Sequence, residues 1–569
     1  MPDQPEKKNP TEAFDVRCQI EETIAGKRPV DENYPYFAPD YAVHTLHIGT
    51  EKQLFLDNFI LDHLEDVKRI IPKPERPDAP ILNARDLPWE VNDKTFPAAA
   101  LHDPDDGKFK IWYVQSSVDE KDVDREFGDS GMILCYAEST DCQHWEKPLS
   151  KKCLPSKDHT STNIVLEDSG HHIALVLNPD QSDPARKYLI AYNPHDRAQS
   201  RDLKFMSTMA VSSDGLRWTT VSEDSTHRHH HFQRAIWDDS INKWITYSQY
   251  SPHWNFLHRK RQVGRQESED FIHWSPKEVV LSVDWDPHLP PNVEFHEMSV
   301  RKVGGLYIGI ATEFNSEPIW GAFGDENWCD HAYATLSLYA SRDGFRWQRA
   351  SGVEPWVDTG PPGSYDYGFV CDTVAGQLVH DGKTYIVYSA RTEKQNWHGI
   401  ERPDDKGGEA SFKPVPEAVF EKSKQNHTKL GKLFGKNPKW DYITISTLIL
   451  REDGWAELKP TYENGKVITR QFVFEGESLK VNAEVYGGYI EVELVGSDFK
   501  PFTGFSTEDC NPIVSDDPNQ IWHTVSWKGK TDVSALWNKP VRLIIHLHQA
   551  SIFAFQFFDS AEWGLKSKL

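Results

Sequence analysis

Ser341-Arg-Asp343-Gly-Phe-Arg-Trp347 is one of four seven-residue segments with the spacing S-x-D-x-x-x-W. The others are Ser139-Thr-Asp141-Cys-Gln-His-Trp145, Ser212-Ser-Asp214-Gly-Leu-Arg-Trp218 and Ser268-Glu-Asp270-Phe-Ile-His-Trp274, and successive starts lie 73, 56 and 73 residues apart. Ser and Asp side chains bond the backbone of tight turns, and the glycine that comes next in two copies tolerates positive φ. Each segment follows an extended run (MILCYAE, TMAVS, RQVGRQE, LSLYA) and ends on a Trp whose flat ring packs against a neighbouring sheet. Each therefore reads as a hairpin corner.

Upstream of each corner lies an aromatic strand: Lys108-Phe-Lys-Ile-Trp-Tyr113, Lys187-Tyr-Leu-Ile-Ala-Tyr192, Lys243-Trp-Ile-Thr-Tyr247 and Gly305-Leu-Tyr-Ile-Gly309. A fifth, Asp381-Gly-Lys-Thr-Tyr-Ile-Val-Tyr388, lacks the corner after it. Five repeats of a four-stranded antiparallel unit predict an all-β chain built on a five-bladed β-propeller. The apolar run Gln53-Leu-Phe-Leu-Asp-Asn-Phe-Ile-Leu61 is expected to pair with the last blade and close the ring. From Tyr442 onward, period-two segments such as Tyr489-Ile-Glu-Val-Glu-Leu494 and Val541-Arg-Leu-Ile-Ile-His-Leu547 predict a C-terminal antiparallel β-sandwich. The expected organisation is an N-terminal arm over 1–48, the propeller over 49–400, a linker or long loop over 401–440 and the sandwich over 441–569.

Composition narrows the function classes. The 569 residues carry 63 Lys+Arg against 87 Asp+Glu, a net charge of −24 that argues against a nucleic-acid partner. No apolar run approaches a membrane span. The start, MPDQPEKKNPTEAFD, lacks a signal-peptide pattern, so a cytoplasmic location is expected, or a periplasmic or secreted one if a signal has been removed. Seven scattered cysteines without a CxxC pair speak for reduced buried thiols.

Inner strands of a propeller line its central channel, and residues just before or on them form an acidic and histidine-rich set. The candidate catalytic residues are Glu90, Asp93, Glu294, Glu297 and Asp366. One carboxyl of a pair protonates a leaving oxygen while the other attacks the anomeric carbon or activates water, which is the requirement of glycoside hydrolysis. Candidate substrate-binding residues are Trp89, Asn163, His229, His231, Gln233, Arg265, His296, Trp320 and Tyr367. Solvated or capping roles compete for each carboxylate. In the run His227-Arg-His-His-His231, strand alternation lets His229 and His231 share one face. Arg265 has an anionic sugar substituent as one expected partner, and Trp274 or Glu267 as the simpler ones. No metal ligand set is read from the spacing. No cofactor is required on this reading, and a channel ion such as calcium has no support.

The LFLDNFIL run, the PWE segment, the S-x-D-G-x-x-W corners, GPPGSYDYGFV and the terminal DVSALWNKPVRLIIHLHQASIFAFQF resemble bacterial proteins related to the propeller of glycoside hydrolase families 32 and 43. The resemblance covers roughly 45–569. It implies a five-bladed propeller with acidic residues at the channel, and it aligns Asp93 or Glu90 with the first-blade carboxylate and Glu297 or Glu294 with the later acid. The chain departs from the family at WMNDPNG, at RDP and at the Glu-Cys acid motif, all absent, and carries His where a third-blade Asp is expected. The resemblance thus implies an O-glycosyl hydrolase with its own oligosaccharide substrate, such as an anionic or anhydro-sugar. The alternatives are an inverting phosphorylase of the family 130 type and a non-catalytic carbohydrate-binding propeller. A homo-oligomer fits each of these.

Overall fold

A computed structural model describes residues 45–91, 94–116, 132–170, 172–192, 208–222, 234–250, 261–286, 289, 293–318, 329–392, 440–441 and 443–559. Secondary structure in these residues is β-strand, with short 3-10 turns such as Pro184–Arg186. The chain divides into two compact units, residues 73–452 and residues 1–72 with 453–569.

The larger unit is a succession of antiparallel meanders. The first runs Thr95–Asp103, Lys108–Ser116, Met132–Ser139, Ile164–Glu167; the second Ile173–Leu177, Tyr188–Tyr192, Thr208–Ser212, Thr219–Ser222; the third Ala235–Asp238, Lys243–Tyr250, Gln262–Ser268, Glu278–Leu281. Two more, Val293–Val303, Leu306–Pro318, Cys329–Ser341, Gln348–Arg349 and Phe369–His380, Lys383–Arg391, Ile443–Arg451, are joined by a single parallel bridge between Ala334 and Phe369. The fifth meander gains its outer edge from Glu75 and Leu82, bridged to Ile449 and Ile445.

Two expectations change here. Ile443–Arg451 pairs along its length with Lys383–Arg391 instead of opening the sandwich. The intervening 51 residues hid that partnership, since pairing is read most easily between strands joined by short turns. Gln53-Leu54, expected to close the last blade, pairs with Phe555 and Ala554 of the smaller unit. Leu54, Phe55 and Leu56 are all buried, which suits a run covered on both sides. The edge position went to Glu75-Arg-Pro-Asp-Ala-Pro-Ile-Leu82, whose prolines cannot donate to a ladder and are tolerated at an edge.

The S-x-D segments fold as read. The Ser Oγ accepts the amide three residues on in each copy: Cys142 at 3.0 Å, Gly215 at 2.8 Å, Phe271 at 2.9 Å and Gly344 at 2.9 Å. The Asp Oδ1 accepts the amides two and three residues on, as in Asp343 with Phe345 and Arg346, both 2.8 Å. The residue after the Asp is left-handed in all four, with φ of 62° at Cys142, 74° at Gly215, 66° at Phe271 and 74° at Gly344. The two glycines are also contact points. Trp112 Nε1 of the first meander donates to Gly215 O of the second (2.9 Å), and the Tyr247 hydroxyl of the third donates to Gly344 O of the fourth (2.9 Å). Gly215→Ala would set its Cβ 2.6 Å from Trp112 Cζ2 at φ +74°, whereas at Gly107, with φ +69°, no atom lies within 4 Å. Gly215→Ala is expected to cost about 1–3 kcal/mol more than Gly107→Ala, measured by denaturant unfolding.

Apolar clusters sit between successive meanders. Trp112, Val114, Ile173 and Tyr188 join the first to the second; Leu189, Met209, Trp244 and Phe271 the second to the third; Ile245, Tyr247, Phe295 and Tyr339 the third to the fourth. Phe314, Ala334 and Phe369 join the fourth to the fifth, and Phe109, Tyr113, Leu378, Tyr385 and Ile445 the fifth to the first. Polar staples cross two of these seams. Buried Asp103 accepts from Lys187 Nζ (2.9 Å) and Tyr188 Oη of the second meander, and buried Asp238 from Lys302 and Tyr307 of the fourth.

Burial opposes ionisation of these carboxylates, but the lysine and tyrosine donors outweigh it and hold Asp103 and Asp238 below the usual carboxylate range. At the corner Asp270, the His273 and Ile272 donors likewise overcome burial and bring the pKa to about 2. A folded pKa below the unfolded value of about 3.9 contributes stability that is complete above that value and is lost as pH falls through the folded one. The thermal midpoint is therefore expected to drop steeply below about pH 4, with a shallower drop in Asp238→Asn, as read by calorimetry.

The smaller unit holds two larger sheets. One sheet has the order Trp522–Thr524, Ser478–Glu484, Ser551–Phe558, Glu457–Pro460, Val67–Ile70, and the other Tyr489–Val495, Arg542–His548, Asn464–Thr469, Leu61–Glu65. Residues 46–70, read as the end of the arm and the start of the propeller, thus supply strands here; Leu46–Gly49 runs parallel to Phe472–Phe474.

Candidate active site

The innermost strand of the fourth meander, Val293–Val303, brings three expected residues together. Val293, Phe295, Met298 and Val300 all join the core cluster shared with the third meander. The spacing from 295 to 298 breaks strict alternation, and the register accounts for it: Phe295 pairs with Glu313 and Glu297 with Thr312, leaving His296 as a bulge. One extra residue reverses the parity of the strand beyond it. Glu294 and Glu297 therefore share the face opposite the core, with His296 beside Glu297.

Partners fix this face. Glu294 holds Arg261 by two contacts, Oε2 to the Arg261 amide (3.0 Å) and Oε1 to its Nη1 (2.8 Å). The Arg261 guanidinium lies 5.0 Å from the Phe314 ring centre, and the His296 ring stacks on the same Phe314 at 6.1 Å and 26°. Phe314 meets Phe369 of the fifth meander edge-on at 5.8 Å. Arg391 then lies 4.6 Å from the Phe369 ring centre and 6.0 Å from that of Phe96, in the first meander. Glu297 is buried at 3% exposure. Two carboxylates, an imidazole and two guanidiniums from the third, fourth and fifth meanders are thus gathered around the Phe314–Phe369 pair, whose own rings are buried in the seam. Such a polar set suits a ligand with many hydroxyls.

Glu90, Trp89 and Asn163 also come together, in a different setting. Glu90 accepts from Tyr113 Oη (2.8 Å), from the Asp86 and Leu87 amides (2.9 and 3.1 Å) and from Lys147 Nζ (2.9 Å). Trp89 Nε1 donates to Asn163 Oδ1 (2.9 Å), and Asn163 Nδ2 donates to Tyr113 Oη (2.7 Å) and Tyr136 O (2.9 Å). Glu90, Trp89 and Asn163 are 3%, 4% and 0% exposed, so this is a closed network inside the seam between the fifth and first meanders. Both carboxylate oxygens of Glu90 are engaged within the protein. Burial pushes the Tyr113 hydroxyl far up, so it stays protonated as a donor.

Asp366 is likewise enclosed, paired with Arg76 (3.1 Å) and bonded by Ser364 Oγ (2.8 Å) and Tyr388 Oη (3.3 Å). A Cβ at Gly360 would fall 2.0 Å from its Oδ1. Tyr367 beside it is half-buried, just ahead of Phe369. Arg265, expected at an anionic substituent, is buried between Glu267 (2.6 Å) and the Phe345 ring (3.8 Å), so the simpler expected partner Glu267 engages it. Asp93, His229, His231, Gln233 and Trp320 lie outside the described residues.

Sequence reasoning passed over Arg391, Phe314, Phe369, Lys147 and Glu313. The first three sit mid-strand or at a strand end, where no spacing distinguishes them from core residues. Glu313 is a buried carboxyl raised by burial, against the opposing pull of Arg349 and Ser337. It neighbours Phe295 and Tyr339 on the core side, away from Glu297. Among the described residues no group of three or more His, Cys, Asp or Glu is arranged to hold a metal ion, and no helix is long and apolar enough to cross a membrane. Cys135, Cys142, Cys153 and Cys510 are free and buried.

No family model matches the sequence, and no curated protein does. Among solved structures, the chain is similar to an N-acetylgalactosamine deacetylase from F. plautii in complex with blood group B trisaccharide (16% identity, 68% of this chain, 97% of that one, TM-score 0.38). It is similar also to a thermostable family-43 glycoside hydrolase (14% identity, 53% and 86%, TM-score 0.35). A third is the family 32 β-fructofuranosidase of Bombyx mori (11% identity, 84% and 94%, TM-score 0.35). Likenesses this weak assign neither an activity nor a substrate.

Proposed function

We propose that the larger unit is a five-bladed β-propeller and that the protein is a glycoside hydrolase acting on an oligosaccharide in its channel. The ring reading rests on neighbours: Thr95–Asp103 lies beside Ile173–Leu177 and Phe369–His380, Ala235–Asp238 beside Ile173–Leu177 and Val293–Val303, and Val293–Val303 beside Phe369–His380. These five strands thus form a closed cycle, with a hydrophobic seam at each step.

The catalytic reading is carried by one observation, the bulge at His296 that sets Glu294, His296 and Glu297 on one face beside Phe314 and Arg391. In this reading Glu297, enclosed by protein, protonates the leaving oxygen. Glu294, paired with Arg261, holds substrate hydroxyls. Asp93, just ahead of the first innermost strand, serves as nucleophile or base. No cofactor takes part.

The test is turnover of an oligosaccharide panel by the full chain with and without inorganic phosphate. New reducing ends at equal rates in both are expected. Strict phosphate dependence with a sugar 1-phosphate product would replace hydrolysis by phosphorolysis. Saturable binding with no turnover would leave a carbohydrate-binding propeller.

A further inference from the structure

The four-stranded sheet of the smaller unit turns outward a grid of side chains that the proposed hydrolysis does not use. Cross-strand register places Tyr489, His548 and Asn464 in one row, Glu491, His546, Lys466 and Glu65 in the next, and Glu493, Ile544, Ile468 and His63 in the third. Their partners along each strand, among them Ile490, Val492, Leu547, Ile545 and Val467, are buried. Hydrogen bonds lace the grid: His546 Nε2 with Glu493 Oε1 (2.7 Å), His548 Nδ1 with Asn464 Oδ1 (2.8 Å) and Lys466 Nζ with Glu65 Oε2 (3.2 Å).

At one end of the grid the Tyr489 ring lies flat on the His548 imidazole, 4.1 Å between centres and 17° from parallel. Two further tyrosines stand in the turns at that end, Tyr486 at 68% and Tyr462 at 82% exposure, with Tyr489 at 37%. The turns are held against the strand end: Gln549 donates its amide to Glu463 O (2.7 Å), and Gly488 sits so close that a Cβ there would lie 2.3 Å from His548 O. Aromatic area is thus exposed on a braced frame, which lowers the entropic cost of binding.

The chemistry selects the occupant. Stacked flat rings offer an apolar platform, and the Asn, Glu and His groups around them offer donors and acceptors, matching the apolar faces and peripheral hydroxyls of a sugar ring. Glu65, Glu491 and Glu493 each have a cationic or imidazole neighbour, so the face offers no uncompensated positive charge, and the chain as a whole carries −24. An anionic polymer would be repelled. We propose that this face is a binding site for a neutral polysaccharide, separate from the site around Glu297, with the stacked Tyr489–His548 pair and Tyr486 as the platform.

The experiment is affinity electrophoresis and depletion binding of the full chain on neutral polysaccharides (a β-glucan, a galactan, a xylan and a fructan), with polygalacturonate as the charged contrast. Retention on at least one neutral polymer is expected, insensitive to added salt. Tyr489→Ala and Tyr486→Ala should each weaken it by about tenfold, with an unchanged thermal midpoint. Wild-type retention in the double variant, or no retention of the native chain on any neutral polymer, would overturn the site. So would sedimentation in which Tyr489→Ala splits a dimer, which would make the face an interface between copies. Hydrolysis of a soluble oligosaccharide is read alongside: turnover without retention removes this inference alone, and retention without turnover removes the proposed hydrolysis alone.

Discussion

Glu297→Gln is expected to lower kcat on a cleaved oligosaccharide by about 10²- to 10⁴-fold, the range that a positioned proton donor supplies. Glutamine keeps the shape of the side chain and its place beside Thr312 in the ladder, but has no acidic proton to give. KM should change little, because the lost contact develops mainly in the transition state. A substrate with a leaving group that needs no protonation should recover much of the rate, a rescue that a merely structural defect would not produce. Wild-type kcat in this variant would remove Glu297 from the chemistry.

The second large effect concerns stability. Glu90→Ala is expected to cost about 3–5 kcal/mol, the usual penalty for breaking a buried ion pair and stranding its partner. Lys147 is 8% exposed and would keep only Asp86 and Asn83 O, while the Asp86 and Leu87 amides and the Tyr113 hydroxyl would lose their acceptor. Adding Lys147→Met should restore part of the loss, because the two residues act as a unit. Denaturant unfolding measures both. The folded fraction of Glu90→Ala should turn over substrate within a few-fold of the native rate, unlike Glu297→Gln. A stable but inactive Glu90→Ala would place Glu90 in the catalytic set.

Local chemistry was legible in the sequence, and distant pairing was not. The four corners could be read because their hydrogen bonds span only two or three residues, from Ser139 to Cys142 or Asp343 to Arg346. Even there, Cys142 and Phe271 adopt the left-handed turn without a glycine, held by the same Ser and Asp acceptors. The staple from Tyr188 to Asp103 joins residues 85 apart, and no local spacing marks either partner. Glu90 met the same difficulty, since Lys147 stands 57 residues away. At the site, Glu294, His296 and Glu297 were visible as a cluster, but a bulge leaves no mark in composition. Strict alternation would have put Glu294 and Glu297 on opposite faces. Arg391 and Phe369 became site candidates only when the fifth meander came next to the fourth, a long-range adjacency that no local pattern carries.

The central claim is that glycosidic bonds are cleaved on the face of the fourth meander that bears Glu294 and Glu297. A crystal structure of the Glu297→Gln chain soaked with an oligosaccharide cleaved by the native protein tests it most directly. The scissile oxygen is expected within hydrogen-bonding distance of the residue 297 amide, with sugar hydroxyls at Glu294. An oligosaccharide bound in a productive pose elsewhere, with no contact to that strand, would contradict it.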